Sequence, residues 1–135
     1  MDKTANNVAK RAIYDIILGL EKERSMAYMP TEKERIIQPG IERMMSGYTE
    51  QGITVSELAG LCGISEVYFR RLFLAKYGVS PKEYIINLRI NYAKQLLKSG
   101  EFSVSRVAEL CGYPEPCHFS REFSRIVGAS PSSCK

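Results

Sequence analysis

An internal repeat constrains the fold more than any other feature of this 135-residue sequence. The segment VSELAGLCGIS at residues 55–65 aligns at an offset of 49 with VSRVAELCGYP at residues 104–114, and six of the eleven positions are identical. After one extra residue near Pro114–Glu115, residues 67–81 align at an offset of 50 with residues 117–131. The second half of the chain therefore contains one supersecondary unit twice.

Each copy of this unit predicts a helix, a tight turn and a second helix. The first helix ends at Gly63, since glycine adopts the left-handed conformation of a helix stop without a Cβ penalty. Ser65 is a good N-cap for a second helix over residues 66–77. A small residue, Ala59 in one copy and Ala108 in the other, lies four positions before the glycine and lets the two helices cross closely. Two copies in register indicate a pair of helix-turn-helix units.

The second helix of each copy has an inward and an outward face. On a helical wheel the inward residues are Phe69, Leu72, Phe73 and Lys76 in the first copy, and Phe119, Phe123 and Ile126 in the second. The outward residues are Val67, Arg70, Arg71 and Leu74 in the first copy, and Cys117, Ser120, Arg121 and Ser124 in the second. Arg71 and Arg121 coincide in the repeat. An outward face of arginine and short side chains suits insertion into a DNA major groove.

A linker helix is predicted between the two copies. Apolar residues recur at helical spacing over residues 82–98, with Pro81 tolerated in the first turn. Such a helix would be about 25 Å long. Successive major grooves on one face of B-DNA lie about 34 Å apart, so one monomer could enter two of them. Arg89 in this helix either pins it to one of the units or contacts phosphate, and the sequence leaves both open.

The charge is unevenly distributed. Residues 1–52 carry eight basic and eight acidic side chains, whereas residues 53–135 carry eleven basic and seven acidic ones, which accounts for the whole net charge of +4. A basic second half favours a polyanionic partner there. With 44% apolar residues and no uncharged apolar run near the 20 or so that span a bilayer, we expect a globular cytoplasmic protein without membrane contact.

No cofactor, metal or catalytic site is expected. The four cysteines form no CxxC pair, and the single histidine, His118, lies beside Cys117. Free thiols are the simple interpretation, with Cys62 and Cys111 as core residues at equivalent turns; a redox or metal sensor at Cys117 and His118 is the alternative. The sequence contains no G-x-S-x-G, HExxH or GxxxxGK[ST] motif, which argues against an enzyme.

The front third of the chain predicts two further helices. Residues 7–23 carry an apolar stripe that either packs on its own chain or forms a surface for dimerisation or for docking a sensor domain. The second option makes a protein-interaction module the alternative function. A short helix over residues 41–48 places Ile41, Met44 and Met45 against the first unit.

Residues 39–133 resemble the DNA-binding domain of the AraC family of bacterial transcription regulators. The resemblance is carried by ITVSELAGLCGISEVYFRRLF, SPKEYIINLRINYAKQLL and SVSRVAELCGYPEPCHFSREFSRIVGASPSS. It implies an all-α fold of seven helices, with two helix-turn-helix units joined by the linker helix. The amphipathic helix expected at residues 7–23 has no evident place in that domain and would precede it. The implied organisation is an N-terminal linker or interaction helix at 1–37 and a DNA-binding domain at 38–135, divided into 38–80, 81–100 and 101–135.

The resemblance also implies roles for individual residues. It places base-edge contacts on Val67, Arg70 and Arg71 of the third helix and on Pro116, Cys117 and Arg121 of the sixth. Neighbouring phosphate or base contacts fall on Tyr68, His118 and Ser120, and Leu74 completes the first reading face. Family members usually have hydrogen-bonding side chains where this chain has Pro116–Cys117, so the second helix is expected to read bases mainly through Arg121. The resemblance further implies RNA polymerase as a partner and a chain that is the C-terminal part of a larger regulator or a short regulator by itself.

Overall fold

The computed structural model describes residues 31–134, and the apolar stripe expected at residues 7–23 lies outside this range. Within it the chain forms six α-helices and a final 3₁₀ helix, and no strand. The helices are α1 (Glu32–Gly47), α2 (Val55–Cys62), α3 (Glu66–Tyr77), α4 (Pro81–Ser99), α5 (Val104–Leu110), α6 (Pro116–Val127) and the 3₁₀ helix Pro131–Cys134. Of the described residues, 33–134 belong to one compact unit. The all-α prediction is thereby confirmed, and every helix of residues 31–134 is too short or too polar to span a membrane.

The first core joins α1 to the first helix-turn-helix unit. Ile37 and Met44 of α1 are buried against Leu58 of α2 and against Phe69 and Phe73 of α3. Burial of these apolar side chains is the main force that holds three short helices together, because helices of this length are marginal alone.

Helix α1 begins at Glu32, nine residues before the Ile41 start expected from the sequence. A Pro-Gly pair usually interrupts a helix, yet α1 continues through Pro39 and Gly40. The reason is tertiary: a Cβ on Gly40 would lie 2.8 Å from Phe69 Cε1 and 3.1 Å from the Leu58 carbonyl oxygen. Glycine therefore lets α1 approach the other helices closely, and the buried Ile37 secures the turn before the proline.

The second core repeats the first around α5 and α6. Val107, Ala108, Phe119 and Phe123 are almost completely buried, and Pro131 of the 3₁₀ helix is buried as well. Cys111 is fully buried, as expected. Cys62 is only partly buried against the first core, because it is the last residue of α2 and the prediction of a full core position was too strong.

Helix α4 belongs to both cores. Ile85 near its start packs in the first core, whereas Ile90, Ala93 and Leu97 pack in the second. Ser80 caps it by accepting a hydrogen bond from the Glu83 N–H at 3.1 Å, and Pro81 occupies the first turn as predicted. At 19 residues the helix is about 28 Å long and connects α3 of the first unit to the second unit.

Candidate nucleic-acid interface

The two turns that orient the candidate recognition helices have the same hydrogen bonds. In the first unit the Ile64 N–H donates to the Ala59 carbonyl at 3.2 Å, and in the second the Tyr113 N–H donates to the Ala108 carbonyl at 3.0 Å. Gly63 and Gly112 have φ of 70° and 96°. This is the Schellman arrangement, in which a glycine with positive φ ends one helix and redirects the chain into the next. The repeated helix-turn-helix geometry is therefore confirmed.

The extra residue of the second copy lies between its turn and its second helix. Three residues separate α2 from α3, whereas five separate α5 from α6. Ser65 caps α3, since its Oγ accepts a hydrogen bond from the Tyr68 N–H at 3.1 Å. Glu115 stands at the corresponding position before α6 and makes no side-chain capping bond, while Pro116 begins the helix. The second recognition helix thus starts without a side-chain cap.

Helix α3 presents the outward face that its sequence predicts. Val67 is 64% exposed and Leu74 is 52% exposed, and both Arg70 and Arg71 are exposed. Tyr68 is half-buried and packs against the first core. The guanidinium of Arg70 lies 2.6 Å from the carboxylate of Glu66 one turn earlier.

The expectation that Lys76 faces inward is wrong. This lysine is exposed, and its Nζ lies 5.4 Å from the centroid of the Tyr77 ring. Its wheel angle is close to that of Phe69, but in the last turn of α3 it is Tyr77 that packs against the first core, with its ring centroid 4.6 Å from that of Phe73.

Helix α6 also exposes most of its predicted residues. Pro116, Cys117 and Arg121 are exposed, whereas Ser120 is half-buried. His118 is exposed and is held at its ring, since Nε2 lies 3.5 Å from Glu122 Oε2 and the ring meets that of Tyr113 edge-on at 5.3 Å between centroids.

Arg71 and Arg121 differ from the other arginines of the two units. Neither guanidinium forms an ion pair or a hydrogen bond with any side chain of residues 31–134. The remaining arginines are engaged: Arg70 with Glu66, Arg89 with two backbone carbonyls, Arg106 with Glu109, and Arg125 with Glu83 and Glu122. The two uncommitted guanidinium groups therefore occupy equivalent positions of the repeat, one on each recognition helix.

Burial excludes the turn cysteine and tyrosine from acid–base chemistry near neutral pH. It raises the pKa of the Cys111 thiol to about 12 and that of the Tyr113 hydroxyl to about 12. Both groups therefore stay neutral. No group of three or more metal-ligating side chains gathers anywhere in residues 31–134.

Comparison with known proteins agrees with this geometry. Residues 58–135 match the family described as a helix-turn-helix domain. A solved AraC-type transcriptional regulator from Chromobacterium violaceum superposes with a TM-score of 0.65 at 25% identity, covering 74% of this chain and 88% of that one.

The chain belongs to the AraC-type helix-turn-helix family. Another structural neighbour of this AraC-type chain is the DNA-binding domain of the global transcriptional factor AdpA in complex with a target DNA. It has a TM-score of 0.63 and 30% identity over 70% of this chain and 87% of that domain.

The curated relatives of this AraC-type chain are longer than it is. The MmsAB operon regulatory protein of Pseudomonas aeruginosa is 35% identical over 94 residues, which cover 70% of this chain and 31% of the relative. The chain spans about half or less of the length of the curated relatives it matches.

Two features of the AraC-type domain were not predicted from the sequence. Arg89, whose role the sequence left open, donates hydrogen bonds to the carbonyls of Tyr48 and Glu50, which pin α4 to the first unit. The close contact of Gly112 with Thr49 was not foreseen either. An arginine in the middle of an otherwise apolar helix stripe was the only signal for the first of these.

Proposed function

We propose that this chain binds double-stranded DNA sequence-specifically through α3 and α6 and thereby regulates transcription. The observation that carries the proposal is the pair Arg71 and Arg121, which are exposed, uncommitted within residues 31–134 and equivalent in the repeat. A guanidinium presents a planar fork of donors that matches O6 and N7 of guanine in the major groove. Two such groups on two helices supply two separate base contacts.

The surrounding side chains give each helix a different reading chemistry. On α3, Val67 and Leu74 flank Arg71 with apolar surface that suits a thymine methyl group, and Arg70 lies beside it. On α6, Pro116 offers no donor and Cys117 only a weak one, which leaves Arg121 as the strong base contact. Tyr68, His118 and Ser120 border these faces and would contact the phosphate backbone or neighbouring bases.

The uncapped start of α6 supports a phosphate contact there. Pro116 has no N–H, and the N–H groups of Cys117 and His118 point out of the first turn, where a helix favours negative charge. The first unit satisfies the corresponding donor internally with Ser65. We infer that α6 relies more on backbone contacts and α3 more on base contacts.

Broader properties are proposed on the family relationship: the chain would act in the cytoplasm as a DNA-binding protein without catalytic activity and would work with RNA polymerase. Dimerisation through the apolar stripe at residues 7–23 is proposed on the sequence pattern. Each of these is secondary to the DNA contact.

The arginine assignment is tested by binding to a duplex selected from a random library. We expect Arg71→Ala and Arg121→Ala each to lose about 1–3 kcal/mol of affinity for the selected duplex and much less for an unrelated one. Fluorescence anisotropy at two salt concentrations measures both losses, and the wild-type affinity should fall steeply with salt.

Arg35→Ala is the matched control, because Arg35 is exposed on α1, carries the same charge and forms no ion pair among the described residues. It should lower both affinities slightly and equally. Equal losses on both duplexes for Arg71→Ala and Arg121→Ala would make these residues phosphate contacts and would overturn their assignment as base readers.

A further inference from the structure

Arg89 lies at the boundary between the two cores. It stands in the middle of α4, between Ile85 of the first core and Ile90 of the second. Its Nε donates a hydrogen bond to the Tyr48 carbonyl at 2.6 Å, and its Nη2 donates one to the Glu50 carbonyl at 2.8 Å. Both carbonyls belong to the loop between α1 and α2, so the guanidinium ties α4 to the first unit.

The same guanidinium also contacts the second unit. Its Cζ lies 5.3 Å from the centroid of the Tyr113 ring, which is buried in the turn between α5 and α6. The neighbouring Gly112 approaches so closely that a Cβ there would lie 2.5 Å from the Thr49 carbonyl oxygen and 3.2 Å from Arg89 Cζ. The turn of the second unit therefore rests on the loop of the first, with Arg89 between them.

Arg89 is half-buried at this position. Burial lowers the pKa of the guanidinium, and within residues 31–134 no carboxylate pairs with it. Two carbonyl dipoles and the face of an aromatic ring replace part of the solvent around it. Lysine could not reproduce these contacts, because one ammonium group lacks the planar fork that serves both carbonyls and stacks on the ring.

We propose that Arg89 is a positioning residue that holds the two recognition helices in one orientation, so that the chain reads two DNA blocks at a single spacing. The inference rests on the proposed function, and it adds to it a rule for which DNA sites are accepted. Each inserted base pair turns the second block by about 34° relative to the first, as about 10.5 pairs make one turn. A fixed pair of readers cannot follow a two-pair insertion, whereas two loosely joined readers can.

The DNA test uses a duplex selected by the wild-type chain and the same duplex with one or two base pairs inserted between its blocks. For the wild type we expect the two-pair insertion to lower affinity at least about tenfold. For Arg89→Ala we expect a loss of about tenfold on the selected duplex and little further loss on insertion, because the second unit can reorient. Lys94→Ala on the same helix removes an equal charge from an exposed site and should keep the wild-type spacing profile.

Arg89→Lys keeps the charge, and it serves as a second test variant in case Arg89→Ala does not fold. It should fall between the wild type and Arg89→Ala in its tolerance of insertion. If Arg89→Ala binds every duplex more weakly by one factor, with the spacing profile unchanged, Arg89 is a phosphate contact or a general stabiliser and the proposal is overturned. An unaltered affinity and profile would overturn it as well.

A second measurement is independent of DNA. Amide residual dipolar couplings of the free chain should fit one alignment tensor for both units in the wild type and in Lys94→Ala. In Arg89→Ala the two units should require separate tensors. If the wild type selects no DNA site, the proposed function fails, but this measurement still tests whether Arg89 fixes the orientation of the two units. If folded Arg89→Ala still fits a single tensor, Arg89 does not fix the orientation of the two units, whatever the DNA result.

Discussion

The two helix-turn-helix units share their buried core residues and their turns, and differ in the outward faces of their recognition helices. Buried phenylalanines recur at Phe69 and Phe119 and at Phe73 and Phe123, and the same Schellman turn follows Ala59 and Ala108. The outward residues have diverged: α3 carries apolar surface beside two arginines, whereas α6 begins with Pro116 and keeps one uncommitted arginine. The repeat thus conserves what orients a recognition helix and varies what that helix can recognise.

The largest expected effect tests whether the two cores are equivalent. Phe69 and Phe119 are both completely buried, so Phe69→Ala and Phe119→Ala should each lower the free energy of unfolding by about 3–5 kcal/mol. Urea unfolding followed by circular dichroism measures both. A loss under about 1 kcal/mol for one variant alone would show that its core is loosely packed and would break the comparison.

Substitutions of the turn glycines should lower stability by intermediate amounts that differ between the two units. Gly63→Ala places a residue with Cβ at φ 70°, with nothing within 4 Å of that Cβ, and should cost about 1–3 kcal/mol of stability. Gly112→Ala meets the Thr49 carbonyl at 2.5 Å as well, and should cost about 1–3 kcal/mol more. Equal losses in urea unfolding would contradict the close contact between the units that the structure shows at Gly112.

The helix caps should give the smallest difference. Ser65→Ala removes the side chain that accepts from the Tyr68 N–H and should destabilise the chain by about 1 kcal/mol. Glu115→Ala removes no capping bond and should change stability by less than about 0.5 kcal/mol. Thermal unfolding resolves the two. A cost for Glu115→Ala as large as that for Ser65→Ala would mean that α6 is capped after all.

The sequence predicted local features better than long-range ones. The bounds of α3, the turn at Gly63 and the outward position of Arg71 all depend on residues within one or two turns of each other, and the structure agrees with them. The predicted start of α1 was wrong because the helix continues through Pro39–Gly40, where Gly40 packs closely against Phe69, a residue distant in sequence. The role of Arg89 stayed open because its acceptors at Tyr48 and Glu50 lie 41 and 39 residues away.

Among the candidate site residues, helical periodicity predicted which side chains are exposed, but not which of them are held in ion pairs or ring contacts. The wheel places Arg70 and Arg71 together on the outer face of α3, yet the first is paired with Glu66 and the second is not. The same holds for α6, where His118 is held by Glu122 and Tyr113 while Arg121 remains uncommitted among the described residues. Ion pairs between neighbouring side chains depend on rotamers, which a hydrophobic pattern does not encode.

The most direct test of the account is selection of duplexes by the wild-type chain from a random-sequence library, followed by fluorescence anisotropy of the enriched site at two salt concentrations. We expect enrichment of two sequence blocks about one helical turn apart, the block read by α3 being the more sharply defined. Enrichment of a single block, or salt-dependent binding without any enrichment, would contradict reading of DNA by both units.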